Sequence, residues 1–336
     1  MRSVHDRSGA APDGAGPRPV VVYVAGSGRS GSTLLERMLG VQPGCVNVGE
    51  VIELFRKVSV GGERCGCGEP FDQCPFWSRV GEIAFGGWSP QRMAEVAALQ
   101  RQVGRQRHVP RLLAAGRSGG ERDFARDLRD LGDAYARLYA AIAAVSDASV
   151  VVDASKWPGH GLALARSRAV DLRVIHLVRD VRGVAFSWSK SDVVRPQASG
   201  AGGRALMATH GVGGTALRWS AFQLECDLLA AMVASSTRVR YEDLVRRPRP
   251  TVEKALRALG LDVVAAAVRH IRDDEVDLPA SHGLAGNPSR FTTGQVRLRT
   301  DDAWRASMPP GARRLVTALA LPVLLTHGYS LRGGRA

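Results

Sequence analysis

The segment Gly26-Ser27-Gly28-Arg29-Ser30-Gly31-Ser32-Thr33 concentrates residue types that bind an anion: glycines, hydroxyls and one guanidinium. It fits G-x-G-x-x-G after an apolar run, a dinucleotide pattern in which Glu50 stands near the offset of a ribose-binding acid. It also fits G-x-x-x-x-G-x-[ST], a phosphate loop whose usual lysine position is Ser32. A tight strand-to-helix turn without a ligand would use the same glycines. In both binding templates, backbone N–H groups at a helix N-terminus face an anion. The side chains separate them. A triphosphate needs the lysine on its outer phosphates and a magnesium ion held by Ser/Thr, with Asp153 the conceivable acidic ligand. Here Arg29 lies inside the loop, and Ser30, Ser32 and Thr33 add three hydroxyls. That lighter charge suits a single phosphate joined to a sulfuryl group, and a dinucleotide loop needs none of these four side chains.

Arg29–Thr33 resembles the 5′-phosphosulfate-binding loop of sulfotransferases that use 3′-phosphoadenosine 5′-phosphosulfate (PAPS). The match is to the Arg-Ser-Gly-[Ser/Thr]-Thr form of carbohydrate, tyrosylprotein and many bacterial members. The resemblance implies that Gly28, Arg29, Ser30, Gly31, Ser32 and Thr33 hold the 5′-phosphate. Arg29, always charged and able to donate in a planar fork, would neutralise the leaving oxygen. A second segment agrees. The strand expected at Leu172–Val178 delivers Arg179, Asp180 can cap the next helix, and Ser187 lies two turns on, on the face of Gly183 and Val184. Arg179 and Ser187 resemble the family's 3′-phosphate pair, although Val181 stands where relatives often carry Pro. Alone, the segment would be read first as a surface Arg and a buried helical Ser. His176, inside an apolar strand, reads as a packed core histidine.

Sulfuryl transfer needs a base at the acceptor hydroxyl and cations around the sulfuryl oxygens. Glu50, after the short strand Cys45–Val48, resembles the base of tyrosylprotein-type enzymes; helix capping is its other reading. Lys156 in Asp153-Ala154-Ser155-Lys156-Trp157-Pro158 resembles the family's transition-state lysine, with an Ala-Ser insertion in the motif. Read structurally it is a loop lysine. Tyr241, in Arg240-Tyr241-Glu242-Asp243-Leu244, resembles a nucleotide-side tyrosine, or packs. Arg290, in Gly286–Gly294, occupies the place of a nucleotide-closing loop and is expected as an extra 3′-phosphate contact. The product nucleotide would be 3′-phosphoadenosine 5′-phosphate (PAP). Cys65-x-Cys67 and Cys74 before Pro75-Phe76-Trp77 resemble an insertion of some bacterial sulfotransferases. Zinc would want four ligands, and the spacing does not supply a fourth from Cys45 or a His. A disulfide or free thiols is therefore the expectation, with no metal.

The elements that must position these residues alternate strand and helix. β-Branched runs at Pro19–Ala25, Ser149–Asp153, Leu172–Val178 and Thr237–Tyr241 are separated by helical stretches, including a segment at about 90–146. This predicts an α/β fold, a three-layer P-loop-like domain over 19–330 whose central, mostly parallel sheet is flanked by helices. Ligands bind beyond the carboxyl ends of such strands. Residues 1–18 read as a disordered tail, 61–77 as a Cys-containing loop and Pro196–Gly214 as a loop shaping the acceptor pocket. Net charge is +14, yet only four residues are Lys and the basic residues are scattered, which argues against nucleic acid. Leu315–Leu325 is too short to span a bilayer and contains Pro322. No secretory signal opens the sequence, so a cytoplasmic protein is expected. The acceptor would be a small molecule, glycan or peptide hydroxyl, and the sequence specifies no oligomeric state. A magnesium-dependent nucleotide kinase, a dinucleotide-dependent oxidoreductase and a non-catalytic nucleotide-binding module are the rival readings.

Overall fold

The computed structural model describes residues 18–57, 62–114, 122–190, 209–261 and 268–331. Its first apolar run forms β1, Val20–Ala25. Val21, Tyr23 and Ala25 enter one apolar cluster, while Val22 and Val24 enter another. A strand apolar on both faces must be covered on both, and β1 accordingly lies at the centre of a sheet. With β2 (Cys45–Asn47), β3 (Val150–Lys156), β4 (Asp171–Val178) and β5 (Ser235–Arg240), the order is β2-β3-β1-β4-β5. Every pairing in it is parallel. Helices Arg122–Ser146 and Pro158–Ser167 pack on the Tyr23 side. Helix α1 (Ser32–Gly40) and helix Pro248–Ala258 pack on the Val22 side. This is the expected three-layer α/β architecture. A third cluster around Trp219, Trp304 and Leu324 joins helices Val181–Ser189, Val212–Met232 and Pro310–Thr326.

The helical stretch at 90–146 resolves into Pro90–Val103, Val109–Ala114 and Arg122–Ser146, the first ending at Gly104. An antiparallel pair, β6 (Glu275–Leu278) and β7 (Gly294–Arg297), was not expected, because four-residue strands carry too little periodicity to announce themselves. Nearly all of the expected tail at 1–18, and residues 196–208 of the expected pocket loop, lie outside the described residues. Among the described residues no helix is long and apolar enough to cross a membrane.

Two local irregularities aim the site. Along β1 and β3, Tyr23 pairs with Asp153 but Ala25 pairs with Lys156. The extra residue on β3 is a bulge, and the Ala154-Ser155 segment lies at it. A bulge re-aims the side chains beyond it, and Lys156 emerges at a left-handed φ of 70°. At the end of β1 the chain turns at Gly26, whose amide donates to the Lys156 carbonyl at 3.1 Å. Gly26 has φ +153°, and a Cβ there would lie 2.3 Å from the Leu177 carbonyl oxygen of β4. Only glycine lets the two backbones approach so closely.

Gly26→Ala is therefore expected to destabilise the fold by about 2–4 kcal/mol, from positive-φ strain together with backbone overpacking. Gly86→Ala is the control, because Gly86 has φ +71° but nothing within 4 Å of an added Cβ. It should cost only about 1 kcal/mol. Urea denaturation compares the two, and equal losses would remove any role for the Leu177 contact.

Candidate active site

The loop after β1 is held between two aromatic rings. A Cβ on Gly28 would come within 2.9 Å of the Trp188 ring, and one on Gly31 within 2.6 Å of the Tyr241 ring. Gly31, at φ 90°, is the N-cap of α1, which begins at Ser32. The first-turn N–H groups of a helix lack intrahelical partners, so the loop presents donors at the positive end of α1. Arg29 has a left-handed φ of 68°, and its guanidinium lies 5.1 Å from the Trp188 ring centre. Ser30 is the exception among the expected ligands. Its hydroxyl is 2.9 Å from that of Ser27 and it is buried, so it braces the loop from inside.

A cavity of 560 Å³ opens beside the loop. It is lined by Gly28, Arg29, Gly31, Ser32 and Thr33 and also by Glu50, Lys156, Arg179, Ser187, Tyr241 and Arg290. Of the residues expected to hold the donor nucleotide or act in transfer, only Ser30 is not among its lining.

On one side the Glu50 carboxylate is ion-paired with the Lys156 ammonium, and both side chains are mostly buried. Glu50 stands before the short turn Val51–Glu53, but its side chain makes no capping hydrogen bond. Capping therefore does not occupy the carboxylate. The Glu50 backbone amide donates to the Leu284 carbonyl at 2.8 Å, and the Leu284 amide to that of Val48 at 3.0 Å. Gly286 closes over the pair: a Cβ there would lie 2.9 Å from Glu50 Oε1 and 3.4 Å from Thr33 Oγ1.

Two acids lie behind Glu50, out of the cavity. Glu36 on α1 is buried, and its carboxyl accepts the Gly49 N–H. Burial, and after it the Glu50 charge, pushes the Glu36 carboxyl up to about 8, with Lys156 pulling the other way. Asp153 is fully buried. It accepts from the Ser155 amide at 2.7 Å and the Tyr139 hydroxyl at 2.6 Å, and burial still pushes it up to about 6.

Across the loop, Arg179 is buried against the Tyr241 ring, 4.5 Å from its centre. It donates to the Arg29 carbonyl at 2.8 Å and to the Asp301 carboxylate at 2.8 Å. Asp180 caps helix Val181–Ser189 through a bond from the Arg182 amide at 2.9 Å, so Val181 serves at the first helical position. His176 is buried and bonded to Gln223 at 2.6 Å, as a packed core histidine should be. Arg290 sits on the Glu50 side. Its donors go to the Ala285 carbonyl at 2.6 Å, to Glu63 at 2.8 Å and to the Arg64 carbonyl at 3.2 Å. To serve a 3′-phosphate it would have to leave these partners.

Sequence reasoning did not find Asp301, Glu63, Trp188, or the Trp157–Phe222 pair that lines the cavity with ring centres 5.6 Å apart. Asp301 stands in the polar run Arg299-Thr300-Asp301-Asp302, which has no periodicity to betray a partner more than a hundred residues away. Trp188 had a usable signal, being adjacent to Ser187 at the end of the same helix.

Residues 19–265 match the model of the sulfotransferase family, and the chain belongs to that family. The fold is similar to the sulfotransferase domain from the curacin biosynthetic pathway, at 14% identity and a TM-score of 0.50, over 91% of this chain and 99% of that one. The sulfotransferase domain from the Synechococcus PCC 7002 olefin synthase is 18% identical with a TM-score of 0.47, over 93% and 96%. Sulfotransferase STF1 from Mycobacterium tuberculosis H37Rv is 17% identical with a TM-score of 0.39, over 87% and 76%. No protein of curated function matches the chain in sequence.

The buried Glu36 carboxyl makes stability depend on pH. With a folded value near 8 against 4.5 unfolded, the native state holds the extra proton between them, so stability falls as pH rises through that window. Glu36→Gln should flatten this slope and gain roughly 2–4 kcal/mol over the parent at pH 9 relative to pH 4. Chemical denaturation across that range checks it, and parallel pH profiles for the two proteins would refute the assignment.

Proposed function

We propose that this sulfotransferase-family chain moves the sulfuryl group of PAPS onto an acceptor hydroxyl by in-line displacement, releasing PAP. One observation carries the reading: a base–cation pair and a buried arginine are both tied to the anion-binding loop and line one cavity with it. Lys156 is tied through its carbonyl to Gly26, and Arg179 through its guanidinium to the Arg29 carbonyl. The donor set fits the donor nucleotide. Gly28, Gly31, Ser32 and Thr33 offer backbone and hydroxyl donors at a helix N-terminus for the 5′-phosphate. Arg179 and Ser187 would take the 3′-phosphate, which competes with Asp301 for the guanidinium. Tyr241 would flank the adenosine, and Arg290, once released from Glu63, would add a further contact.

In this reading the acceptor hydroxyl displaces Lys156 from Glu50, and Glu50 takes its proton. The acceptor oxygen forms a bond to sulfur as the bond from sulfur to the 5′-phosphate oxygen breaks. Arg29 and the freed Lys156 then stabilise charge on the departing phosphate and the sulfuryl oxygens. The rival readings have less support. A triphosphate site would need its loop lysine, and Asp153 is buried with its oxygens already bonded. A ribose-binding role for Glu50 competes with its pairing to Lys156 at the loop. A non-catalytic module has no use for that pair. The aromatic wall of Trp157 and Phe222 suits stacking by a sugar or other ring. The acceptor class is a carbohydrate, peptide tyrosine, lipid or secondary-metabolite hydroxyl, and a cytoplasmic setting is in keeping with PAPS as donor.

PAP should bind in magnesium-free buffer by calorimetry; tighter ATP binding that requires magnesium would instead favour the kinase reading. Glu50→Gln should lower kcat about 100-fold or more while leaving PAP affinity within about twofold. Turnover near that of the parent would remove Glu50 as the base.

A further inference from the structure

We propose that Cys65, Cys67, Cys74 and His282 form a structural zinc site that staples the cysteine loop to the segment closing over Glu50. The sequence expectation was a disulfide or free thiols and no metal, because no fourth ligand was apparent. The structure supplies that ligand from 208 residues beyond Cys74. The three sulfurs and His282 Nδ1 all lie within 4.8 Å of one another. All three cysteines are unpaired, and Cys67 and Cys74 sulfurs are 3.8 Å apart. A disulfide needs about 2.05 Å. A tetrahedron with Zn–S near 2.3 Å and Zn–N near 2.05 Å puts sulfurs about 3.8 Å apart and sulfur and nitrogen about 3.6 Å apart. His282 Nδ1 is 3.4 Å from both the Cys65 and the Cys74 sulfur. The ligand atoms are thus spaced as if around a single dication.

The surroundings fit a metal–thiolate centre as well. The Cys67 amide is directed at the Cys65 sulfur and the Trp77 amide at the Cys74 sulfur. Such N–H···S bonds stabilise thiolates and orient ligands. Phe76 stacks on the His282 ring at 4.4 Å with planes 6° apart, and Trp77 Nε1 donates to the His282 carbonyl at 2.9 Å. These contacts fix the ring that presents Nδ1. Three Cys and one His is a closed set with no open position, which marks a structural site, and soft thiolates select zinc over magnesium or calcium. Binding the dication expels three thiol protons and leaves the centre with one net negative charge. A second group, His176, Asp227 and His327, does not share this character. It has three members, and the Arg238 guanidinium already sits 2.7 Å from Asp227.

The staple lies two residues from the bridge that seats Glu50. The Gly66 amide donates to the Gly283 carbonyl at 2.9 Å, and Leu284 pairs with the backbone on either side of Gly49. Glu63 then holds both Arg290, at 2.8 Å, and the Ala285 amide, at 3.2 Å. The metal would fix one end of this strap, independently of which group the enzyme transfers.

Elemental analysis of protein purified under reducing conditions should give about one zinc per chain. Cobalt exchange should produce the strong visible bands of a tetrahedral thiolate site. Cys74→Ser should lose the metal, whereas His282→Cys should retain it with a shifted cobalt spectrum. Stripping zinc with a strong chelator should lower the melting temperature by about 10 °C, and adding zinc back should restore it. Zinc below about a tenth of an equivalent in the parent, with no tetrahedral cobalt spectrum on reconstitution, would overturn the proposal. So would an intact mass two hydrogens short in the parent, which reports a disulfide.

Discussion

The site depends on how closely backbone can approach backbone at the carboxyl end of β1. Gly26 lies against the Leu177 carbonyl of β4, and Gly49 against Leu284, where a Cβ would fall 2.3 Å from the carbonyl oxygen. A side chain at either point would push apart segments that share the cavity. Gly26 sets where the loop leaves the sheet, between the strands that deliver Lys156 and Arg179. Gly49 sets how near the closing segment comes to Glu50. Two of the charged groups add special conformations of their own, since Arg29 and Lys156 both have left-handed φ values. Strand order completes the arrangement, because β1 lies between β3 and β4 and the loop therefore has a cation from each side.

Charge in this small volume is held in balance by burial. Glu36 and Asp153 lie behind the Glu50–Lys156 pair, and carboxylates so close would repel one another strongly at low dielectric. Burial eases the conflict by favouring the protonated form, enough at pH 7 for Glu36 but not for Asp153. Glu36 is pushed to about 8 and Asp153 to about 6. With Glu36 neutral at pH 7, the ammonium is directed to the one carboxylate that faces the cavity. Glu36 on α1 thereby helps position the Glu50–Lys156 pair without touching the cavity itself.

How much of this was legible in the sequence depends on how local each signal is. Runs such as Val20–Val24 and Val150–Val152 betray buried parallel strands within five residues, and the glycine loop between β1 and α1 is a local motif, so the architecture and the loop side of the cavity could be read. The Ala154-Ser155 insertion looked like damage to a motif, whereas pairing with β1 places it at the bulge that aims Lys156. Partners joined only by the folded chain left no trace. Asp301 on Arg179, Glu63 on Arg290 and His282 beside the cysteines are separated from their partners by 122, 227 and 208 residues or more. No period or spacing links such residues, because three-dimensional packing alone brings them together. Ser30 is a related case: it has the right type and place, but its hydroxyl lies against that of Ser27 and the residue does not line the cavity.

The same long-range pairs explain how a loop of irregular backbone can hold a carboxylate in place. Irregular segments lack the repeated hydrogen bonds that stiffen a strand, and ordering them costs conformational entropy at each residue. The segment from Pro279 to Thr292 offsets this by anchoring at several separate points. Arg37 on α1 donates to the carbonyls of Pro279 at 2.8 Å and Thr292 at 2.7 Å, fixing both ends against a rigid helix. Leu284 bridges to Gly49, and Glu63 gathers Arg290 and Ala285. The remaining stretch, around His282, is held by the Phe76 ring, the Trp77 indole and the cysteine sulfurs. Removing one anchor from such a strap loosens its neighbours, since each short span between fixed points becomes a longer free loop. The position of Glu50 is thus a property of the whole strap, which is why its determinants are spread from Arg37 to Thr292 although the residue lines a single cavity.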